Sequence, residues 1–302
     1  MTGTAARPRV AYVMSRFPKL TETFVVAEIL GMEAAGVDVS IHPLLRYREP
    51  VVQPDAARLA GLVRYLPFVS RAIVRANLRA LRRAPRRYLG TLAAVVAGTA
   101  GSRNYLVRGL ALFPKIVLMA ERMQAARVEH VHCHFSSHPA VAGFVIGRLT
   151  GIPWSFTAHG SDLHVDRHML CDKVREAAFV VAISEDNRRV ITGTCGADAA
   201  PRVRVIHTGV DTAAFPVVDR PDDGRLSILC IGTLHEVKGQ RHLIDACRRL
   251  REAGVDFECR LVGEGQDREM LEERIRDAGL QDLVTLLGAR TRDEIIELLG
   301  TS

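Results

Sequence analysis

S-I-L-C-I-G-T-L-H-E-V-K-G-Q-R-H-L-I-D-A-C-R-R-L, residues 227–250, decides the fold. The apolar run Ile228–Ile231 ends in Gly232, as a buried parallel strand does. A short turn carrying Lys238 and Gly239 follows, and then Leu243, Ile244, Cys247 and Leu250 recur at helical spacing. A strand, a glycine turn and a helix start make an anion site, because the first N–H groups of the helix lack partners and about half a positive charge collects there. Lys238, just before the helix, adds a full charge. Taken alone, the stretch also reads as an ordinary βα turn with a solvated lysine, and it is not a Walker loop, since G-x-x-x-x-G-K-[ST] is absent.

The same alternation continues on both sides. Downstream, Phe257–Val262 reads as a strand ending in Gly263-Glu264-Gly265, where small residues let the backbone approach a ligand. A helix over about 267–278 ends at Gly279; Val284–Leu287 is a third strand, followed by Gly288 and a helix from about Asp293. Upstream, the polar run Asp219–Gly224 reads as a linker, placing a first domain at 1–218 and a second at 225–302. The first domain opens with a strand at Arg9–Met14, the loop Ser15–Phe24, a helix over about 25–35 and a strand at Val37–His42. That loop sits where open α/β sheets meet ligands, although Thr21 and Glu22 also suit helix capping. Further strands are expected at Glu129–Phe135, Trp154–Thr157 and Phe179–Ser184, with Ser184 able to cap the helix after it. On the first of these, His130, His132 and His134 share a face; alternate residues nearly 7 Å apart bring a cation to two of them only awkwardly. The fold class is α/β, with two Rossmann-like domains.

At 302 residues the chain has room for two cores, and 48% hydrophobic with 25% charged residues is ordinary for a globular protein. Net charge is +7, concentrated in a helical insertion over about 57–127 whose single acid is Glu121. There Leu66, Val69, Ile73 and Val74 are expected on one face and Arg71, Arg75, Arg79, Arg82 and Arg83 on another, which suits an anionic membrane surface or a solvated basic face. Nucleic acid fits less well, because the arginines alternate with aliphatic rather than stacking aromatic residues. The six cysteines form no C-x-x-C pair and read as small buried thiols of a reducing cytoplasm, not as a disulfide frame or zinc site. No apolar stretch is long enough to span a bilayer, and none reads as a signal peptide.

Several segments together resemble family 4 retaining glycosyltransferases, which have the GT-B fold. Residues 227–250 resemble the V-x-x-G-R-L-x-x-x-K-G opening of their donor domain, with Thr233 in place of the arginine; Phe17, Pro18, Glu22, Thr23, Phe24, Glu28 and Ile29 match F-P-x-x-S-E-T-F-I-x-x-E-I of the exopolysaccharide branch. H-C-H-F resembles their H-A-H-F segment, Phe156, His159, Gly160, Asp162 and Leu163 match [FY]-x-x-H-G-x-D-[IL], and Gly209, Val210, Asp211 and Phe215 match the crossing between domains. The resemblance implies that His159 and Lys238 are catalytic: His159 contacts the donor sugar and Lys238 the diphosphate. It further implies donor binding around Gly232, Thr233, Gly239, Gly263, Glu264, Gly265 and Gly288, and an acceptor-side loop at Phe17, Glu22 and Thr23.

The function expected is transfer of a sugar from a nucleotide-diphosphate donor to a carbohydrate or lipid-linked acceptor, in exopolysaccharide or cell-envelope biosynthesis. No cofactor and no metal are expected, since no D-x-D pair is present. The expected location is the cytoplasm, with peripheral attachment to the inner face of the membrane. The family's P-S-x-x-E-x-x-G-x-x-x-x-E segment does not occur before Ser302, so the chain is expected to stop short of the family's full length. The alternatives are a binding-only fragment, for which sugar-nucleotide turnover would be nil, and a sugar-nucleotide epimerase of the same architecture, which would release free sugar without an acceptor.

Overall fold

The computed structural model describes residues 7–48, 50–218 and 224–301. Of the expected linker, 219–223 lie outside them. Chain contacts divide the protein into two compact units, Met1–Arg48 with Asp55–Gly209, and Glu49–Pro54 with Val210–Ser302.

The first unit is built on six parallel strands in the order β2-β1-β3-β4-β5-β6. These are β1 (Arg9–Met14), β2 (Asp38–Pro43), β3 (His130–His134), β4 (Trp154–Ala158), β5 (Phe179–Ala182) and β6 (Val203–Val205). The helices are α1 (Thr23–Ala34), α2 (Pro54–Arg58), α3 (Arg71–Arg83), α4 (Pro85–Thr99), α5 (Arg103–Ala125), α6 (His138–Thr150), α7 (Ser161–His164), α8 (Leu170–Glu176) and α9 (Glu185–Cys195). The order turns back between β1 and β3, so the crevice at their carboxyl ends is the switch point where such sheets take ligands. α6 lies close on the sheet because Gly143 and Gly147 leave room for Trp154: a Cβ on either would come within 2.5 Å of its ring. Ser184 caps α9 through the Asn187 N–H, as expected, whereas neither Thr21 nor Glu22 caps α1.

The basic insertion is helical, but its faces differ from the expectation. Leu66 and Ile73 enter the core, whereas Val69 and Val74 stand exposed beside Arg71 and Arg75. The residues that pack inward from α3 are Ile73 and Ala76, one turn apart, and this turns the neighbouring valine outward. Lys115 of α5 is buried and donates to the Leu44 carbonyl at 2.5 Å, so one expected surface cation holds the insertion to the sheet. The cysteine expectation fails for one pair: Cys171 of α8 and Cys195 of α9 form a disulfide. The two helices bring their Cα atoms to 5.1 Å, a proximity that a sequence separation of 24 does not announce. Cys133, Cys230, Cys247 and Cys259 are free thiols, as expected. Among the described residues no helix is long and apolar enough to cross a membrane.

The second unit holds three parallel strands in the order β7-β8-β9, at Leu226–Ile231, Phe257–Val262 and Val284–Gly288. Between and after them run α10 (Gln240–Glu252), α11 (Arg268–Asp277) and α12 (Arg292–Gly300). α12 begins in a full capping box between Thr291 and Glu294. The strand ends are stitched together by backbone bonds: Gly232 N–H to the Val262 carbonyl, Leu234 N–H to Glu264 and Gly263 N–H to Gly288, at 2.9–3.0 Å. The approach is so close that a Cβ on Gly263 would lie 2.0 Å from the Gly232 carbonyl oxygen, and one on Gly265 2.1 Å from that of Leu234. Gly263 also holds a φ of 144°, which side chains disfavour. Gly263→Ala should therefore destabilise the second unit by about 3 kcal/mol or more, measured by urea unfolding followed by circular dichroism. An unchanged midpoint would refute this packing.

Candidate functional site

In the first unit the site is organised by one buried carboxylate. Asp162, 6% exposed, sits in the first turn of α7. Its Oδ1 accepts the N–H groups of His159 at 3.0 Å and Gly160 at 2.7 Å, and its Oδ2 accepts that of Ser136 at 2.6 Å. The Ser136 hydroxyl donates back to the Asp162 carbonyl at 2.9 Å. The carboxyl ends of β3 and β4 are thus tied through one side chain, and the Asn187 amide holds the His159 carbonyl at 2.8 Å. Lys173, fully buried, donates to the carbonyls of Ser136 and His168, and burial lowers its ammonium pKa to about 7.

The imidazole of His159 is packed between Phe24 of α1 and Phe135, with ring centroids 4.6 and 4.5 Å away. Phe135 holds a left-handed φ of 75°, which turns the chain after β3 beneath the histidine. Nε2 of His159 lies 3.2 Å from Nδ1 of His134, one donating and the other accepting. Burial lowers the His159 pKa to about 4, only partly opposed by Asp162, so the ring is neutral at ordinary pH. It can offer a hydrogen bond and a dipole, but it is a weak base.

The loop expected on the acceptor side reaches this group through Phe24, which packs on His159. Phe17 is buried and its carbonyl accepts the Tyr65 hydroxyl at 2.5 Å; Glu22 pairs with Lys19 at 2.7 Å, and Thr23 opens α1 with an exposed side chain. Glu28, matched in the sequence but given no role there, reaches toward His132 and His134, and its Oε1 accepts the Tyr12 hydroxyl at 3.0 Å. One ligand atom from each of Glu28, His132 and His134 lies within 4.8 Å of the other two. The third strand histidine, His130, instead bonds Ser155 at 2.7 Å and stacks on Phe179.

The residues expected on the donor side gather in the second unit at the carboxyl ends of β7, β8 and β9. Gly239, with φ of 71°, ends the short turn Glu236–Lys238 and starts α10. Gln240, 3% exposed, donates to the Thr233 carbonyl at 3.0 Å, which fixes the start of α10 above the end of β7. The methylenes of Lys238 run over Gly232, 3.9 Å from where a Cβ would be, and Lys238 makes no ion pair among the described residues. Glu264 is tied to Arg268 at 2.7 Å, and a Cβ on Gly288 would meet its carboxylate at 3.1 Å. The result is a bed of glycine backbone beside one helix start and one ammonium group, suited to a diphosphate.

Residues 21–214 match the family model described as Glycosyltransferase Family 4, and residues 212–302 that of Glycosyl transferases group 1. The chain is 32% identical over 199 residues to 2-deoxystreptamine glucosyltransferase of Streptomyces kanamyceticus, covering 58% of this chain and 51% of that one. It is 27% identical to the amylovoran biosynthesis glycosyltransferase AmsK of Erwinia amylovora, covering 95% of this chain and 72% of that one. The chain thus spans about half the length of the first of these relatives. Among solved structures it resembles Anabaena HepE in complex with UDP-glucose at TM-score 0.62 and 16% identity, covering 96% of this chain and 71% of that one. Sucrose-phosphate synthase of Thermosynechococcus elongatus gives TM-score 0.62 and 16% identity, covering 98% and 74%. These likenesses establish the GT-B fold.

Burial makes a pH prediction for the first unit. His42, His138 and His159 have pKa values lowered to about 4 and His132 to about 3, against about 6.5 when unfolded. Below pH 6.5 the unfolded chain takes up protons that the folded chain refuses until near pH 4. The stability these rings contribute is complete above pH 6.5 and is lost as the pH falls toward 4. Unfolding followed by the fluorescence of Trp154, the single tryptophan, should show at least about 2 kcal/mol less stability at pH 5 than at pH 7. A flat profile over that range would contradict the buried, neutral state of these histidines.

Proposed function

Since the chain belongs to glycosyltransferase family 4, we propose that it supplies the machinery of a retaining glycosyltransferase, moving a sugar from a nucleotide-diphosphate donor to a carbohydrate or lipid-linked acceptor. The observation that carries this reading is the glycine bed of the second unit, with Gly232, Gly263 and Gly288 at three adjacent strand ends beside Lys238 and the start of α10. When the glycosyl–phosphate bond breaks, negative charge grows on the diphosphate; backbone N–H groups and an ammonium already in place stabilise it without reorganisation. Lys238 supplies the full charge and Thr233 stands where a second cation is usual in the family. His159, held neutral and rigid, supplies a hydrogen bond to the sugar rather than a base. The leaving phosphate then takes the acceptor's proton, and retention of configuration follows from attack on the same face. Thr233, Gly239, Glu264 and Gly265 shape the donor pocket, and Phe17, Glu22 and Thr23 the acceptor side. The transfer as read here calls for no divalent metal at the diphosphate, because Lys238 and the helix start already stabilise it.

The similarity to AmsK along most of the chain favours a role in exopolysaccharide or cell-envelope assembly. A cytoplasmic location at the membrane's inner face accords with α3, where Val74 and Leu78 are 55% and 44% exposed among Arg71, Arg75 and Arg82. Apolar tips within a ring of arginines suit the interface of an anionic bilayer.

In a sugar-nucleotide transfer assay Lys238→Ala should lower kcat by about 10²–10³. Unchanged turnover would remove Lys238 from the diphosphate. In co-sedimentation, the protein should bind vesicles containing phosphatidylglycerol and not those of phosphatidylcholine alone, and Val74→Glu with Leu78→Glu should release it about tenfold. Equal binding by the double variant would place the contact elsewhere.

A further inference from the structure

Behind His159, at the carboxyl end of β3, three potential ligands converge without bonding to one another. Glu28 Oε1 lies 3.7 Å from His132 Nε2, and Oε2 lies 3.7 Å from His134 Nε2. Both gaps are too long for hydrogen bonds. His134 Nε2 is fully buried and has no hydrogen-bond partner among the described residues, a state that costs about 1–3 kcal/mol. Each group is also held by a further partner: His132 Nδ1 bonds Ser155 Oγ at 2.7 Å, His134 Nδ1 bonds His159 Nε2 at 3.2 Å, and Glu28 Oε1, the oxygen nearer His132, accepts the Tyr12 hydroxyl at 3.0 Å. Such second partners orient the ligands of metal sites and fix their tautomers.

We propose that Glu28, His132 and His134 form a binding site for a divalent transition-metal ion, with zinc as the best fit. Two imidazole nitrogens and one carboxylate oxygen are a donor set that zinc takes while keeping a fourth position for water. Zinc–ligand bonds of about 2.0–2.1 Å place tetrahedral ligand atoms about 3.4 Å apart; the carboxylate–imidazole separations here are 3.7 Å, to different oxygens of Glu28, and the three ligand atoms lie within 4.8 Å of one another, so the group must close on the ion. Glu28 can make up that distance, since its side chain is 40% exposed and leaves a helix. The two histidines stand alternately on one strand, yet their ring centroids come to 5.2 Å because the rings meet edge to face. Zinc takes the place of Thr157 Oγ1, 2.9 Å from His132 Nε2, and gives His134 Nε2 the partner it lacks.

Binding has a consequence for His159 that rests on the sugar-transfer reading, although binding itself does not. With Nε2 on the metal, His134 carries its proton on Nδ1 and donates to His159 Nε2. The remaining proton of His159 is then held on Nδ1, so the ion selects the tautomer presented to a sugar.

The full chain, stripped of metal, is titrated with zinc chloride by calorimetry near neutral pH, with cobalt(II) absorption as a second probe. One ion per chain is expected, with a tetrahedral cobalt spectrum. Glu28→Gln should weaken zinc at least about tenfold and His134→Gln should abolish the cobalt band. Glu28 is partly exposed, so its variant should fold, which circular dichroism checks. Absence of saturable binding, or equal zinc affinity in wild type and both variants, overturns the proposal and leaves the group as a polar cluster. Neither donor nor acceptor enters this measurement, so unchanged turnover in Lys238→Ala would defeat the transfer reading and leave the metal site standing.

Discussion

The carboxylate of Asp162 accepts backbone N–H groups from Ser136, His159 and Gly160, and the first unit's site depends on that arrangement. Each of these charge-assisted bonds is worth more than a neutral one in a buried setting. Their structural effect is to join the ends of β3 and β4 through one side chain. With the turn fixed, the histidine that leaves β4 can enter the switch-point crevice in one orientation. Phe24 and Phe135 then close on its ring, and the positive φ of Phe135 is maintained by the contacts on either side.

The two units treat charge in opposite ways. Around His159 the neighbouring His132 and His134 are buried, and burial holds them neutral. In the second unit the backbone supplies polarity and Lys238 remains exposed. On the proposed transfer, that contrast follows from what each side would stabilise. A sugar developing cationic character is best met by a neutral dipole and nearby carboxylate, whereas a diphosphate gaining negative charge needs N–H groups and an ammonium. Gly263 and Gly265 are what allow the second arrangement, since any side chain would push apart the loops that carry those N–H groups.

Much of this was legible in the residues. Apolar runs ending in glycine located the strands, and H-G-x-D and V-K-G each fall at a strand-to-helix turn within their own unit. What the sequence reading lacked was information carried only by helix packing. Spacing puts Val69 and Val74 on one face with Leu66 and Ile73, yet the buried row of α3 is set by Ile73 and Ala76 against α5, and the two valines are exposed. Cys171 and Cys195 lie on different helices, and their meeting follows from how α8 packs against α9. Spacing along β3 alone keeps His130, His132 and His134 apart. The missing member was Glu28 on α1, which reaches the crevice because β1 and β3 are neighbours. Positions that match a motif but have no role within their own segment are therefore the ones to test against residues far away in sequence.

The same neighbour relation explains why the F-P-x-x-T-E-T-F loop and the H-C-H-F strand belong to one site. Strand order β2-β1-β3 sets the start of α1 beside the end of β3, so a helix residue one turn in faces a strand histidine across a few ångströms. A buried imidazole there needs a partner for each nitrogen. His134 spends Nδ1 on His159, which leaves Nε2 to be satisfied from α1. Glu28 is the group placed to do so, either through a proton or through an ion held between them. In both cases the position of the acceptor-side helix is coupled to the hydrogen bonding of His159. A shift of α1 on binding an acceptor would then reach the histidine through His134, along a path of contacts lying wholly within one unit.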